Sequence, residues 1–570
     1  MERWSGRVAL VTGASAGIGA AVAYQLQDHG VHVVAVARRV DKIEEAIANA
    51  KKDAKSRGRY QEPKGKLGKL YVKKCDVSKE ADILDLFKWI KETLGGVDIL
   101  VNNAGLGKDT GVTEAPTADW RIMLDVNVLG LSICTREAVQ NMRARGVDDG
   151  HIIHIGSIAG HSIATPKVTM YCATKSAVLA LTEGLRKDFV ERKSNMKVTC
   201  VSPGNVSTEF INNLPSIKGA DFDKYPALRS EDVADAVTYV LSTPPHVQIH
   251  ELILKPIGEI LLRNLYVTLY TVTNKLQECE QLQNDLDNVV RGTVRNGMLI
   301  NGVKSQVADI MERWSGRVAL VTGASAGIGA AVAYQLQDHG VNVVAVARRV
   351  DKIEEAVAQA KKDAKSRGRY HETKAKPGKL YAKKCDVSKE EDILALFKWI
   401  KETLGGVDIL VNNAAIAKES GLTGAPTEDW KIQLDLNVLG LSICTREAVQ
   451  NMRGRGVDDG HIIHISSGAG HQVLDHLGAM YAATKFAVLA LTEGLRKDFV
   501  EHKSNMKVSC VTPGLVETEF RDNLPFYQGM CKNLPVLYSE DIADAVLYAL
   551  GTPPHVQIHE IIVKPVGELF

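Results

Sequence analysis

A tyrosine and a lysine four residues apart, Tyr171 and Lys175, form the pair with the clearest chemistry in this sequence. Residues four apart on a helix share a face, so the ammonium can act on the phenol. Free tyrosine has a pKa near 10, and a neighbouring ammonium favours the tyrosinate, so we expect Lys175 to lower the pKa of Tyr171. Tyr171 is then a general acid for carbonyl reduction and a general base for alcohol oxidation. The Ser157 hydroxyl could hydrogen-bond the same substrate oxygen.

The whole arrangement occurs twice. Residues 1–31 recur unchanged as residues 311–341, and the offset of 310 persists through Phe210/Phe520 before it slips by one. This repeat is far longer than a solenoid unit of about 20–50 residues, so each copy is a whole domain. We predict a first domain at 1–260, a linker at 261–310 and a second domain at 311–570. The second copy begins with its own methionine, which leaves two interpretations open: a natural fusion, or two neighbouring genes joined into one.

Short apolar runs alternate with helical patterns in each copy, as in a parallel sheet that helices cover on both faces. One such helix, residues 79–93, places Ile83, Leu86, Phe87 and Ile90 on a single face. The sequence therefore predicts an α/β fold, with two tandem Rossmann-type domains that each contain a doubly wound parallel sheet. The predicted strands of the first copy are Val8–Thr12, Val31–Ala37, Lys69–Cys75, Val97–Asn102, Ile152–Ile155, Val198–Val201 and Val247–Leu254.

A glycine-rich turn follows the first strand and opens the first helix. Glycines at this point let the backbone approach a pyrophosphate at the helix N-terminus, where free N–H groups and the helix dipole favour anions. The turn occurs at the same place in both copies, which strengthens the prediction of a dinucleotide site. Its residues are Gly13, Ser15, Gly17, Ile18 and Gly19, and in the second copy Gly323, Ser325, Gly327, Ile328 and Gly329.

The end of the second strand indicates which dinucleotide is bound. An NAD site would carry an acidic side chain there for the ribose 2′-hydroxyl, but the strand ends in Ala37 followed by Arg38 and Arg39. A guanidinium matches a phosphate, so the sequence favours NADP(H), with Arg348 and Arg349 in the second copy. The alternative is that these arginines are only solvated.

These motifs together resemble the classical short-chain dehydrogenase/reductase family, and the resemblance covers both copies almost end to end. It is carried by the glycine turn, Asp76-Val77, Asn102–Gly105, Ser157, the Tyr171–Lys175 motif and Pro203-Gly204. Within the family, the Met-Glu-Arg-Trp start and the run 148–153 resemble the subgroup of the DHRS11-like proteins and the insect farnesol dehydrogenases. The resemblance implies an NADP(H)-dependent enzyme that interconverts alcohols with ketones or aldehydes.

The resemblance also assigns roles residue by residue. It implies that Lys175 holds the nicotinamide ribose, that Asn127 positions Lys175 through water, and that Asp76 and Val77 lie at the adenine. The implied catalytic residues are Asn127, Ser157, Tyr171 and Lys175, and Asn437, Ser467, Tyr481 and Lys485 in the second copy. Further implied cofactor residues are Asn103 at the ribose, Thr208 at the nicotinamide amide, Pro203 and Gly204, with Asp386, Val387, Asn413, Pro513, Gly514 and Thr518 in the second copy.

The copies differ mainly in two segments expected to line the substrate pocket, one before the tyrosine and one after Phe210/Phe520. Their apolar and aromatic content (Phe222 and Tyr225; Phe526, Tyr527, Met530, Leu534 and Tyr538) suits a hydrophobic substrate such as a terpenoid alcohol or a steroid. We expect different preferences in the two sites. The second copy also has Ala415 where the first has Gly105, and this methyl could crowd the backbone that approaches the cofactor and weaken cofactor affinity. The alternatives are a non-catalytic NADPH-binding scaffold, or activity in the first copy only.

Composition narrows the possible partners and the cellular location of the protein. A net charge of +2 predicts no nucleic-acid partner, and no apolar stretch is long enough to predict a membrane span. Nine scattered cysteines and no leader-like start favour a cytoplasmic protein with reduced thiols. Family members commonly dimerise through the helices carrying Asn127 and Tyr171. The resemblance therefore implies either a pseudo-dimer within one chain or a homo-oligomer.

Overall fold

A computed structural model describes residues 1–58, 60, 63, 65–214, 226–257, 311–368, 376–418, 421–473, 478–522 and 534–566. Each copy contains a sheet of seven parallel strands flanked by helices. The strands of the first copy are β1 Val8–Thr12, β2 His32–Ala37, β3 Leu70–Lys74, β4 Ile99–Asn102, β5 His151–Ile155, β6 Lys197–Pro203 and β7 Glu251–Leu254. Its helices are α1 Gly17–Asp28, α2 Ile43–Ser56, α3 Glu80–Leu94, α4 Thr117–Leu124, α5 Leu131–Ala144, α6 Thr169–Glu191 and α7 Ser230–Ser242.

The second copy repeats this order. Its strands are β8 Val318–Thr322, β9 Asn342–Ala347, β10 Leu380–Lys384, β11 Ile409–Asn412, β12 His461–Ile465, β13 Lys507–Pro513 and β14 Glu560–Val563. Its helices are α8 Gly327–Asp338, α9 Ile353–Ser366, α10 Glu390–Leu404, α11 Thr427–Leu434, α12 Leu441–Gly454, α13 Ala479–Glu501, α14 Glu519–Asp522 and α15 Ser539–Leu550. The predicted linker, 261–310, lies outside the described residues.

The apolar runs form the central strands because helices cover both faces of the sheet. Every residue of β1, β4, β5 and β6 is buried, and α3 buries the four apolar residues predicted for its inner face. All seven strand predictions are confirmed, but the last strand is shorter than expected. The Val247 N–H donates to the Pro244 carbonyl at 3.0 Å in a turn, so this strand begins only at Glu251.

The strand order places a crevice where the sequence predicted a dinucleotide. Each sheet has the order 3-2-1-4-5-6-7, so the chain direction across the sheet reverses between the first and fourth strands. Ligands of doubly wound sheets bind outside the carboxyl ends of the strands at such a switch point. The predicted fold class, two tandem doubly wound α/β domains, is confirmed.

The two copies pack against each other within the chain, mainly through α6 and α13. Gly494 allows this approach, since a Cβ there would lie 2.1 Å from Thr169 Cγ2. At the edges of the contact, the Arg136 guanidinium donates to the Ala425 carbonyl at 3.2 Å, and Arg446 to Ala115 at 3.1 Å. One hydrophobic cluster runs through both copies across this contact.

No helix within the described part of the chain combines the length and the hydropathy needed to cross a bilayer.

Candidate active site

Strand β5 and helix α6 bring the serine, tyrosine and lysine together. Ser157 lies two residues after the end of the strand, where its hydroxyl accepts from the Ala159 N–H at 3.1 Å and is near enough to the Tyr171 phenol to favour its ionised form. Lys175, one turn along α6, lies with Nζ 5.9 Å from the centre of the tyrosine ring. Its Nζ donates to the Ile155 carbonyl at 2.8 Å. The second copy repeats the arrangement in Ser467, Tyr481 and Lys485, with a ring distance of 5.7 Å.

The expectation that Lys175 lowers the pKa of Tyr171 is wrong for the chain by itself. Burial raises the pKa of Tyr171, and the bond from Ser157 offsets only part of that effect. Burial also lowers the pKa of Lys175 to about 8. Desolvation of the buried phenol therefore outweighs the attraction between a tyrosinate and the nearby ammonium. The same directions hold for Tyr481 and Lys485. The protein therefore presents a neutral phenol, which can donate a proton.

Asn127 lies in a π-helical turn, Asp125–Gly130, between α4 and α5. Its amide donates to the Leu106 carbonyl at 2.8 Å and to Thr174 Oγ1 at 3.0 Å, and its oxygen accepts from the Leu106 N–H at 2.7 Å. Among these contacts it reaches the catalytic helix through Thr174, which in turn donates to the Tyr171 carbonyl at 2.7 Å. Thr174 was missed in the sequence, although it stands inside the Tyr171–Lys175 motif.

The glycine turn depends on contacts too close for a side chain. Gly13 has φ +67°, and a Cβ there would lie 2.8 Å from the Ala104 Cα. The Asn103 amide donates to the Thr12 and Gly13 carbonyls at 2.9 and 3.2 Å, so this side chain braces the turn. Thr12, also missed in the sequence, accepts from the backbone N–H groups of Asn103 and Ala104 at 3.0 Å each. These contacts fix β1 and β4 at the switch point.

The structure also gives the positions of several other predicted cofactor residues of the first copy. Helix α1 begins at Gly17 with no side-chain cap from Ala16, which leaves its first N–H groups available to an anion. Arg38 and Arg39 are exposed at the end of β2, and Arg39 Nη2 lies 3.2 Å from Glu209 Oε2. Thr208 packs beside Gly17. Pro203 ends β6, and the next residue, Gly204, donates to the Leu254 carbonyl at 2.8 Å.

The second copy encloses a cavity of about 960 Å³ along this crevice. Of the second-copy residues predicted for the site, only Gly329 and Asn437 do not line it; both are buried behind the wall. The lining contains the predicted residues Gly323, Ser325, Gly327, Ile328, Arg348, Arg349, Asp386, Val387, Asn413, Ser467, Tyr481, Lys485, Pro513, Gly514 and Thr518.

Ala415 also lines this cavity, and the first copy indicates that a methyl fits there. A Cβ built on Gly105 would lie 3.7 Å from both Asn127 Oδ1 and Lys175 Nζ, which is ordinary van der Waals contact. The expected crowding of the protein backbone is therefore not found.

The cavity wall also contains the apolar side chains of Ile416, Ala417, Leu515, Phe520 and Leu534, together with Lys418 and Gln472. The Phe520 ring centre lies 5.8 Å from that of Tyr481. Tyr538, expected near the substrate, instead stacks on Arg367 at 4.1 Å at the start of α15. The other residues predicted for this segment, Phe222, Tyr225, Phe526, Tyr527 and Met530, lie outside the described residues.

Comparison with known proteins agrees with this fold. The family model described as short chain dehydrogenase matches residues 7–218 and again 317–526. The chain therefore belongs to the short-chain dehydrogenase family, a class of oxidoreductases, and contains two tandem copies of it.

Individual relatives each correspond to one copy. Dehydrogenase/reductase SDR family member 11 of Gallus gallus is 49% identical over 265 residues, which are 46% of this chain and 100% of that protein. Farnesol dehydrogenase of Aedes aegypti is 46% identical over 262 residues, again 46% of this chain and 100% of the relative. A solved structure, the closed form of serine dehydrogenase complexed with NADP+, is 31% identical over 43% of this chain and 94% of its own, with a TM-score of 0.37.

Proposed function

We propose that each copy is an NADP(H)-dependent enzyme that interconverts a hydrophobic alcohol and its ketone or aldehyde. The observation that carries this proposal is the Ser467–Tyr481–Lys485 group in the wall of a single cavity. The wall of that cavity combines a glycine turn and two arginines with a group of apolar side chains.

The residues present fit NADP(H). The turn at Gly13 leaves no room for a side chain, and the uncapped start of α1 offers N–H groups to a pyrophosphate. Arg38 is exposed at the end of β2, where an acid would select NAD, and a guanidinium there suits the 2′-phosphate. When bound, the cofactor supplies or accepts the hydride at the substrate carbon.

The protein's own residues handle the proton. The Ser157 and Tyr171 hydroxyls are neighbours, so one carbonyl oxygen could accept from both. The neutral Tyr171 phenol donates its proton to the oxygen in reduction, and the tyrosinate takes the proton from the alcohol in oxidation. Lys175 keeps a positive charge within 5.9 Å of the ring, which stabilises the negative charge that develops on Tyr171. Asn127 and Thr174 keep the catalytic helix and the loop after β4 in register.

The apolar side chains in the cavity wall favour hydrophobic substrates. Ile416, Phe520 and Leu534 offer no charge to a ligand, and the cavity volume of about 960 Å³ leaves space beyond a dinucleotide's nicotinamide for a chain or ring system. The similarity to a farnesol dehydrogenase supports terpenoid alcohols as the first class to test, with steroids second. We keep the expectation that the two copies prefer different members of this class.

We further propose that the chain works as a self-contained pair in the cytoplasm. The packing of α6 on α13 supports the pair, and the seven cysteines among the described residues are free and buried, as suits a reducing compartment.

The cofactor proposal is tested with the full chain and a panel of prenyl alcohols, steroids and short alcohols. We expect turnover with NADP+ to exceed that with NAD+ clearly, and R38A/R348A to remove most of that preference while NAD+ turnover changes little. Saturable NADPH binding without turnover of any substrate would instead support the scaffold alternative.

A further inference from the structure

We propose that each copy's substrate pocket is held in shape by a lysine of the other copy: Lys187 of the first copy serves the second pocket, and Lys497 of the second serves the first. This inference rests on the proposed oxidoreductase function. It makes the two lysines positioning residues, which act on substrate only through the loops that they hold.

The contacts cross the interface in both directions. Lys187 lies on α6, and its Nζ donates to the Val473 carbonyl of the second copy at 2.8 Å. Lys497 lies on α13, and its Nζ donates to the Ile163 carbonyl of the first copy. Ile163 and Val473 occupy equivalent places in the loop that joins the catalytic serine to the catalytic tyrosine. This loop is one of the two segments in which the copies differ most.

The first-copy loop has anchors of its own before and after Ile163, and the one after it is the Thr110 N–H, which donates to the Lys167 carbonyl at 2.6 Å. His161 Nε2 lies 2.7 Å from Glu251 Oε1, and His471 makes the same contact with Glu560 in the second copy. Two residues further on, Ile163 is 4% exposed and belongs to a small apolar cluster. A shift of Ile163 would therefore be passed to its neighbours in that cluster.

That cluster includes the catalytic tyrosine. Val168, Cys172 and Leu214 form its buried part with Ile163, and Tyr171 and Phe210 pack against it. Ala490 of the second copy packs against the same cluster. The wall beside Tyr171 is therefore completed by the other copy, through the Ala490 side chain and the Lys497 ammonium.

Contact with the backbone explains how the arrangement tolerates different loops. Residues 162–166 read Ser-Ile-Ala-Thr-Pro, and residues 472–476 read Gln-Val-Leu-Asp-His. A carbonyl oxygen is present whatever the side chain, so an ammonium can hold either loop. The loop side chains are thus free to set different preferences, while the lysines fix the path of the chain.

The decisive experiment inactivates one site at a time and combines each single-site background with substitutions of the two lysines. Y171F leaves only the second site active, and Y481F leaves only the first. K187M keeps the apolar stem but removes the ammonium, and K187R serves as the conservative rescue; K497M and K497R are the matched pair. Each is measured in both single-site backgrounds with a prenyl alcohol and NADP+.

We expect K187M to raise KM for the alcohol roughly fivefold in the Y171F background, with a smaller change in kcat, and to leave the Y481F background within about twofold. K497M is expected to do the reverse, and each arginine variant to restore its own pair. An effect of K187M on the first site alone, an equal effect on both sites, or no effect on either site would overturn the proposal.

Hydrogen exchange gives a readout that does not need catalysis. K187M is expected to increase amide exchange in residues 468–473, and K497M in residues 158–168, with the melting temperature otherwise close to that of the parent. Absence of turnover in both parent backgrounds would defeat the proposed function only, and exchange would still decide the role of the lysines. Unchanged exchange in both loops would overturn that role.

Discussion

Gly184 of the first copy lies against Ala479 of the second so closely that a Cβ on the glycine would come within 2.2 Å of the alanine Cβ. Helix packing with no room for one methyl group is typical of a close, specific contact. We therefore expect the copies to stay together without their covalent connection. With a protease site engineered into 261–310, light scattering after cleavage should still report about 62 kDa.

Substitution of the contact glycines provides the control. G184L/G494L places side chains where Ala479 and Thr169 already lie, so the cleaved variant should separate into particles of about half that mass. Separation of the cleaved parent chain would contradict a self-contained pair, as would uncleaved particles that contain two chains.

A second prediction concerns Gly105, the residue of the Asn102–Gly105 motif that is replaced by Ala415 in the second copy. Because a Cβ at Gly105 meets only ordinary contacts, we expect G105A to raise stability by about 0.4–1 kcal/mol through the unfolded state. NADPH affinity should change by less than about threefold. Thermal unfolding and fluorescence titration measure both, and A415G should change them in the opposite sense. A tenfold loss of NADPH affinity in G105A would show that the methyl obstructs the cofactor.

A third prediction concerns the aromatic ring over the pocket. A Cβ at Gly107 would lie 2.7 Å from the Phe210 Cζ, and Phe210 packs on Tyr171 with ring centres 5.4 Å apart. The second copy carries Ala417 at this place. In the Y481F background, we expect G107A to displace the ring and to change the ratio of kcat/KM for prenyl and short alcohols about threefold or more.

The matched variant for this change is A417G in the Y171F background, which should shift the second site in the opposite direction. NADPH affinity serves as the control, since neither substitution lies at the glycine turn. An unchanged substrate ratio in both variants would mean that the ring position does not set preference.

A fourth prediction follows from the buried ammonium groups. Burial lowers the pKa of Lys175 and of Lys485 to about 8, below the ordinary value of 10.5, so the unfolded chain binds more protons between these values. Stability from this source must rise as the pH rises through that window, and the cost of the buried charge is fully present below it. The K175M/K485M variant lacks both ammonium groups and therefore lacks this pH dependence of stability. The melting temperature of the parent minus that of the variant should increase between about pH 7.5 and 9.5; a constant difference would contradict the lowered pKa values.

The fold was predictable because its signals are local. Each strand is a short apolar run that ends in a turn, and the inner face of α3 follows from four residues at helical spacing. The positions of Gly13 and Tyr171 followed from motifs whose spacing is fixed by one strand and one helix. The start of the last strand at Glu251 was not predictable. The residues from Val247 onward have a strand-like pattern, but the turn after Pro244 delays the strand.

What sequence reasoning missed depends on contacts distant in the chain. Thr12 and Thr174 look like ordinary polar residues until the structure shows which backbone groups they hold. The direction of the Tyr171 pKa was predicted wrongly, since spacing reveals a nearby ammonium but not how deeply both groups are desolvated. The reach of Lys187 to Val473 spans 286 residues and has no local signal.

The most direct test of the proposed chemistry removes the two phenols singly and together. Loss of NADPH absorbance is followed with a prenyl aldehyde for the parent chain, Y171F, Y481F and Y171F/Y481F. We expect each single variant to keep part of the activity and the double variant to lose at least about a thousandfold, with NADPH binding intact in all four. Substantial turnover by the double variant would contradict the assignment of Tyr171 and Tyr481 as the acid–base residues.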